Sequence, residues 1–348
     1  MLTERQLKIL QLIIRLYAEQ QEPVGSKTLL KEADLPFSSA TIRNEMMKLE
    51  ELGFLEKTHS SSGRIPSVLG YRFYVDNMLP AVQTANIQPQ ELTDIRQTLR
   101  HRYHEISEIV DISAKMLSNL TNYTTIVLGP ETRQSKLTGF RLVPLSDTQV
   151  MAILVTDKGM VENRIFNIPA SIIHDDLEKI VRILNDELVG LYLSEVYDKL
   201  QYDIPQLIRQ NISEQFDILP ILQELMTKME TDRMFIAGKT NLFDYIDYEN
   251  SRTNLKNLYN MIENSSDLYQ LMSPTHQGVD IKFGSELNHE AFKDLSFVTT
   301  TYETNNGKGV IALIGPTNMS YARVVGLMNA LSEELSGSIN QYFDDLDI

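Results

Sequence analysis

The sequence predicts an α+β, multidomain chain that opens on a trihelical unit with a short hairpin and continues into mixed helices and antiparallel strands. Three observations carry this. The 348 residues exceed one ordinary domain, at roughly 100–200 residues each. Residues 3–52 repeat their apolar positions every three to four residues, whereas the stretch just after Gly53 does not. From Thr124 onward, period-two runs bounded by Gly, Asp and Asn recur between long helical stretches.

Composition narrows the chemistry. There are no cysteines, which excludes disulfides, thiolate nucleophiles and zinc sites built on sulfur. His101 and His104 lie one helical turn apart without a third ligand candidate nearby, so they read as solvated helix surface, and neither metal nor cofactor is expected. Gly307-Lys308-Gly309 lacks the spacing of a phosphate loop or a dinucleotide fingerprint. No nucleophile, base and orienting group can be placed together, so an enzyme is not expected. Charge arrives early, at Glu4 and Arg5, and no run of about 18 apolar residues exists. The expectation is a cytoplasmic protein with neither a signal peptide nor a membrane partner.

The net charge of −15 looks hostile to nucleic acid, but it is unevenly spread. Residues 1–80 hold ten basic and ten acidic residues, and the remainder holds 22 and 37. From Lys57 to Val75 there are three basic residues and no acid. The N-terminal unit is therefore free to face an anion.

Within that unit, Thr3 and Gln6 form a capping box, and Leu7, Leu10, Ile14 and Tyr17 continue a first helix ended by Pro23 and Gly25. Ser26 is read as the cap of a second helix with Leu29 and Leu30 turned inward. A turn at Asp34-Leu35-Pro36-Phe37 precedes a third, capped by Ser38 and stopped at Gly53. In this third helix Ile42, Met46 and Leu49 form a buried stripe, while Thr41, Asn44 and Lys48 lie roughly opposite with Arg43 on their flank. Phe54–Thr58 and Arg64–Pro66 read as strands around a Ser60–Gly63 tip. A helix-turn-helix followed by a small basic hairpin is a winged helix. Ser38, Ser39, Thr41, Arg43 and Asn44 are candidates to read base edges, since Arg suits guanine and Asn suits adenine in the major groove. Lys27, Lys48, Lys57, His59 and Arg64 are candidates for phosphate.

Pro80–Pro89 reads as a linker. A long helical pattern runs from Leu92 to Leu120 on a 3-4 repeat interrupted by Arg102 and Ser113, about 45 Å if straight. Tyr103, Val110 and Leu117 widen the stripe beyond a coiled-coil seam, so it most simply lies on a sheet. Thr124–Leu128 is a strand, and Phe140–Leu145, Gln149–Thr156 and Val161–Ile168 form an antiparallel meander. Residues 170–230 are helical in pattern, as are 253–271. Met234–Ala237, Ile281–Phe283, Ser296–Tyr302 and Val310–Ile314 are strands, the last two joined around Asn305-Asn306-Gly307. A helix from about Ser320 to Leu335 closes the chain, leaving Asp344, Asp345 and Asp347 as a solvated tail. This order resembles a GAF-type sensor domain interrupted by an insertion.

Specific motifs now enter. Pro23-Val24-Gly25-Ser26-Lys27-Thr28-Leu29, Ser38–Met46, Leu49–Gly53, Ser62-Gly63-Arg64-Ile65-Pro66 and Gly70–Asp76 resemble, in order and spacing, the bacterial HrcA repressors. Val161–Arg164, Gly238–Leu242, Ile281–Glu286 and Ile314–Thr317 extend the resemblance. Asn318-Met319-Ser320-Tyr321 departs from it, because the family usually carries Arg and Asp at the first and third of these positions. The resemblance implies a homodimer that represses chaperone operons through an inverted-repeat DNA operator, with the chaperonin GroEL keeping it competent. It also implies a winged helix-turn-helix over 1–79, a linker over 80–90 and a GAF-like α/β domain in two segments, 91–132 and 231–348. Between those segments, 133–230 would be an inserted dimerising domain with a three-stranded antiparallel sheet and helices. The alternative from another class is a regulator whose GAF-like domain binds a small effector.

Overall fold

The computed structural model describes residues 2–32, 36–58, 63–79, 87–101, 103, 105–130, 135–169, 174–211, 220, 221, 224, 233–245, 278–287, 292–305 and 307–345. The chain is α+β throughout, as its sequence predicts, and its sheets are antiparallel. Helix α1 (Glu4–Gln20) begins on the expected capping box, with Thr3 N–H donating to Gln6 Oε1 at 2.9 Å. It ends two residues before Pro23, on Gln21 in the left-handed conformation (φ 56°). Helices α2 (Ser26–Glu32) and α3 (Ser39–Glu51) pack on each other, and α1 lies across both. Ser26 is already helical and caps nothing: the Leu29 N–H bonds to the Gly25 carbonyl. Ile9, Leu10 and Ile13 of α1 bury against Leu29 and against the predicted Ile42, Met46 and Leu49 stripe.

Strands β1 (Leu55–Lys57) and β2 (Arg64–Pro66) pair antiparallel, with Lys57 opposite Arg64. A further helix, α4 (Val68–Asn77), follows directly. Sequence patterning did not distinguish it, because its glycine and aromatics obscure the period. Ser67 caps it by accepting the Gly70 N–H at 3.0 Å.

The expected single helix over 92–120 is two helices, α5 (Pro89–Leu99) and α6 (Ile106–Thr121). The chain breaks near Tyr103, whose hydroxyl donates to the Thr98 carbonyl at 2.6 Å. The break lets α5 pack on the closing helix α9 (Tyr321–Asp345) while α6 packs on both α9 and the sheet. Helix α9 runs ten residues beyond the predicted end. Ser336-Gly337-Ser338, poor in helix formers, follows the predicted end at Leu335, yet Leu335, Ile339 and Phe343 continue the buried stripe through it. Ser336 and Ser338 satisfy their hydroxyls on the Ser332 and Leu99 carbonyls. Asp344 and Asp345 are thus the end of a helix rather than a tail, and Asp347 lies outside the described residues.

Five strands form the central sheet in the order β7-β3-β10-β9-β8: β3 (Thr124–Leu128), β7 (Met234–Ala237), β8 (Asp280–Phe283), β9 (Leu295–Thr304) and β10 (Gly307–Pro316). One face, with Val127, Val298, Ile311 and Leu313, belongs to the core shared with the helices. The other, with Ile126, Leu128, Phe297 and Ile314, buries against Leu242 and Phe292. Strands β3 and β7 are adjacent partners, Thr125 opposite Ala237, although more than a hundred residues separate them in the chain. That excursion builds its own sheet, β4 (Leu137–Ser146), β5 (Gln149–Thr156) and β6 (Val161–Asn167), the meander read from sequence. Helices α7 (His174–Leu188) and α8 (Leu193–Asn211) cover one face, joining Phe140, Ala152 and Leu154 to Ile180, Leu184 and Leu200 in a separate core. The predicted helices over 253–271, Asn306, Asp34-Leu35 and most of 212–230 lie outside the described residues.

Candidate nucleic-acid interface

Helix α3 owes its orientation to its own amphipathicity. With Ile42, Met46 and Leu49 buried, Ala40, Arg43, Asn44, Met47 and Lys48 face outward. Ser38 starts the helix by accepting the Thr41 N–H at 3.1 Å, and its hydroxyl lies 2.9 Å from Thr41 Oγ1. Ser39 Oγ sits 3.1 Å from Ser26 Oγ, so this hydroxyl joins α2 to α3. Each hydroxyl has one donor and two acceptor positions, and all three keep capacity for another partner. Arg43 and Asn44 are exposed, with no side-chain partner among the described residues.

The acids of α3 are mostly neutralised from within. Glu45 is buried, accepting from Gln6 Nε2 at 3.0 Å, with Arg5 at 3.6 Å and Lys48 at 3.5 Å. Gln6 also belongs to the capping box of α1, so one carboxylate fixes the recognition helix against the start of the first helix. Sequence reasoning passed over Glu45, although its place between Ile42 and Met46 on the apolar stripe signalled a buried carboxylate that needs a partner. Replacing Glu45 with alanine orphans Gln6 Nε2. A loss of about 1–3 kcal/mol in unfolding free energy is expected by chemical denaturation, and less for glutamine, which keeps an acceptor.

Of the phosphate candidates, Lys27 on α2 and Lys57 at the hairpin edge are exposed, and Lys48 remains largely so beside Glu45. His59 lies outside the described residues. Arg64 already has an intramolecular partner. Its Nε and Nη2 both reach Glu50 Oε2, at 2.8 and 2.7 Å, and only 13% of the side chain is exposed. The same residue pairs its backbone with Val24. A Cβ at the neighbouring Gly63 would lie 2.7 Å from the Pro23 carbonyl oxygen, so only glycine allows this approach. Arg64 therefore ties the hairpin to the far end of α3 and to the strand-like turn before α2. It positions the hairpin and neutralises Glu50.

The arrangement is a helix-turn-helix with its second helix exposed along a polar, cationic arc and a hairpin held beside it, the geometry of a winged-helix DNA-binding protein. Residues 1–75 match the family described as winged helix-turn-helix transcription repressor, HrcA DNA-binding, and residues 107–325 match the HrcA protein C terminal domain. The heat-inducible transcription repressor HrcA of Enterococcus faecalis (strain ATCC 700802 / V583) is 44% identical over 347 residues, covering 99% of each chain. That of Ligilactobacillus salivarius (strain UCC118) is 42% identical over 354 residues, covering 100% of each. A crystal structure of a hypothetical protein at 2.2 Å resolution shares the fold, with a TM-score of 0.66 and 24% identity over 98% of this chain and 100% of that one. The chain belongs to the HrcA family of heat-inducible transcription repressors. It is a DNA-binding repressor and not an enzyme. Among the described residues, no helix is long and apolar enough to cross a membrane.

Proposed function

We propose that this repressor binds an inverted-repeat operator of chaperone operons as a homodimer, and that the chaperonin GroEL sets how much of it is active. The observation that carries the DNA reading is the exposed arc of α3, where Arg43 and Asn44 have no side-chain partner among the described residues while Glu45 and Glu50 are paired. Arg43, Asn44, Ser38, Ser39 and Thr41 read base edges; Lys27, Lys48 and Lys57 contact phosphates; Arg64 holds the hairpin they flank.

The homodimer is supported by the uncovered face of the three-stranded sheet. Antiparallel sheets with one solvated face ordinarily alternate apolar and polar residues. Here the outer face carries Val143, Met151 and Ile165 in one cross-strand row and Val155 and Val161 in another. Val161 is 54% exposed and Ile165 52%. The row between them is Arg141, Ile153 and Asn163, so the two apolar rows meet only through Ile153. Exposed apolar rows of this kind mark an association surface, and a two-fold axis through them makes the contact self-complementary.

Chaperonin dependence rests on the family resemblance; the absence of cysteine removes only thiol–disulfide switching as a rival. A partner that shifts the folded population by ~1–2 kcal/mol changes active repressor severalfold. The test is a binding-site selection from random double-stranded DNA, followed by gel shifts with and without chaperonin and ATP. Enrichment of an inverted repeat, loss of binding through aggregation on moderate warming, and recovery of the active fraction with chaperonin are expected. Unchanged activity with and without chaperonin overturns the regulatory half; no enriched repeat overturns the operator half.

A further inference from the structure

The winged helix is not merely tethered to the rest of the chain. Helix α4 is its last element, and Arg72 on that helix reaches across to the end of β8. Its Nε donates to Glu286 Oε1 at 2.8 Å, its Nη2 to Glu286 Oε2 and to the Ile281 carbonyl at 2.9 Å, and its Nη1 to Asp76 at 3.4 Å. The guanidinium plane lies over the Phe283 ring, 4.6 Å from its centroid. Beneath it, Tyr71, Phe283 and Tyr321 pack ring to ring, with centroids 5.8 to 6.5 Å apart.

The receiving side is built to be fixed. Glu286 Oε2 also accepts the Phe283 N–H at 2.9 Å, which locks the carboxylate to its own turn. That turn, Gly284–Glu286, is pressed so tightly on the following loop that a Cβ at Gly284 would lie 1.5 Å from the Phe292 carbonyl oxygen. Planar, two-point recognition of a carboxylate, with stacking on an aromatic face, defines an angle as well as a distance; a lysine ammonium would define neither. Residues 214 positions apart thus set the orientation of the DNA-reading unit on the body that follows it.

A dimer on an inverted repeat must hold two recognition helices at a separation matched to whole turns of DNA. Loosely tethered readers accept many separations, because the second contact depends only on effective concentration. Rigidly held readers accept one. We infer that Arg72 is a positioning residue that fixes the half-site spacing this repressor accepts, through its forked contact with Glu286. This rests on the operator reading above and goes beyond it: affinity comes from α3, Lys27 and the hairpin, and spacing from α4.

Two readouts separate the inference from that reading. In the full-length chain, which has no native cysteine, nitroxide labels at Glu19→Cys and Lys293→Cys report the distance between the two units without DNA, once labelled chains are diluted into unlabelled ones. The parent should give one narrow distance, and Arg72→Ala a broadened distribution. Glu286→Gln, which keeps an acceptor for the Phe283 N–H and guards against a folding defect, should broaden it less. The double variant should match Arg72→Ala alone. On DNA, Arg72→Ala should bind a single half-site as the parent does, yet lose a preference of about tenfold for one spacer length over shorter and longer ones. Equally narrow distances in Arg72→Ala and parent, or strictly additive effects of the two substitutions, overturn the inference. A parent that binds the inverted repeat with no spacer preference overturns the inference as well. A parent that binds no inverted repeat overturns the operator reading instead, and the distance measurement then still decides whether Arg72 orients the winged helix.

Discussion

Arg43→Ala is expected to cost about 1–3 kcal/mol of operator affinity and to relax base preference at one position in each half-site. Arg43 leaves α3 on the exposed side, one residue from the buried Ile42, and nothing in its own chain competes for its guanidinium among the described residues. A bidentate contact to a guanine edge discriminates because the wrong base leaves donors unpaired inside the groove. Lys57→Ala should behave differently. An exposed ammonium at the hairpin edge neutralises a phosphate whatever the sequence, so its loss weakens all sites alike and lowers the slope of log affinity against log salt by about one. Arg64→Ala provides the third signature. It frees Glu50 and unpins the hairpin, so binding falls on every sequence and thermal stability falls with it. Affinities for a set of single-base operator variants, at several salt concentrations, separate the three. Parent-like binding of every variant by Arg43→Ala would remove that residue from base reading.

The sequence was most legible where one rule dominated. The capping box at Thr3, the buried stripe of α3, the left-handed stop at Gly53 and strands β3, β5 and β7 each follow from a local period or a single cap. It was least legible where a tertiary partner decided. The interruption of the stripe at Arg102 marks the place where the pattern over 92–120 splits but does not by itself end a helix, since the one at Ser113 lies inside α6. Helix α5 ends at Leu99 and packs on α9, while α6 packs on α9 and the sheet. Ser336-Gly337-Ser338 reads as a stop only while the carbonyls that satisfy the serines are unknown. At the interface the same division holds. Exposure of Arg43, Asn44 and Lys48 was periodic and therefore readable. The withdrawal of Arg64 into a pair with Glu50, and the reach of Arg72 to Glu286, depend on contacts that no spacing encodes.

The second large effect should come from the sheet far from DNA. Glutamates at Val143 and Ile165 place two charges in one cross-strand row, on either side of Met151. In a single copy both positions are exposed, at 39% and 52%, so the substitutions should leave folding of the isolated chain almost untouched. In a pair of copies joined through that face they bury carboxylates without partners, which costs far more than any exposed ion pair returns. The chain should then sediment as a monomer. Binding to a single half-site depends on the winged helix alone and should be unchanged. Binding to the intact inverted repeat should drop by roughly 10²–10⁴-fold, because the second half-site is no longer an intramolecular event. Arg141→Glu on the same strand is a useful control: its residue faces outward too, opposite Ile153, but replaces one charge by another on a row that already carries Asn163. It should weaken the pair less. A double glutamate variant that remains dimeric and holds the intact operator as tightly as the parent would move the two-fold contact to another surface.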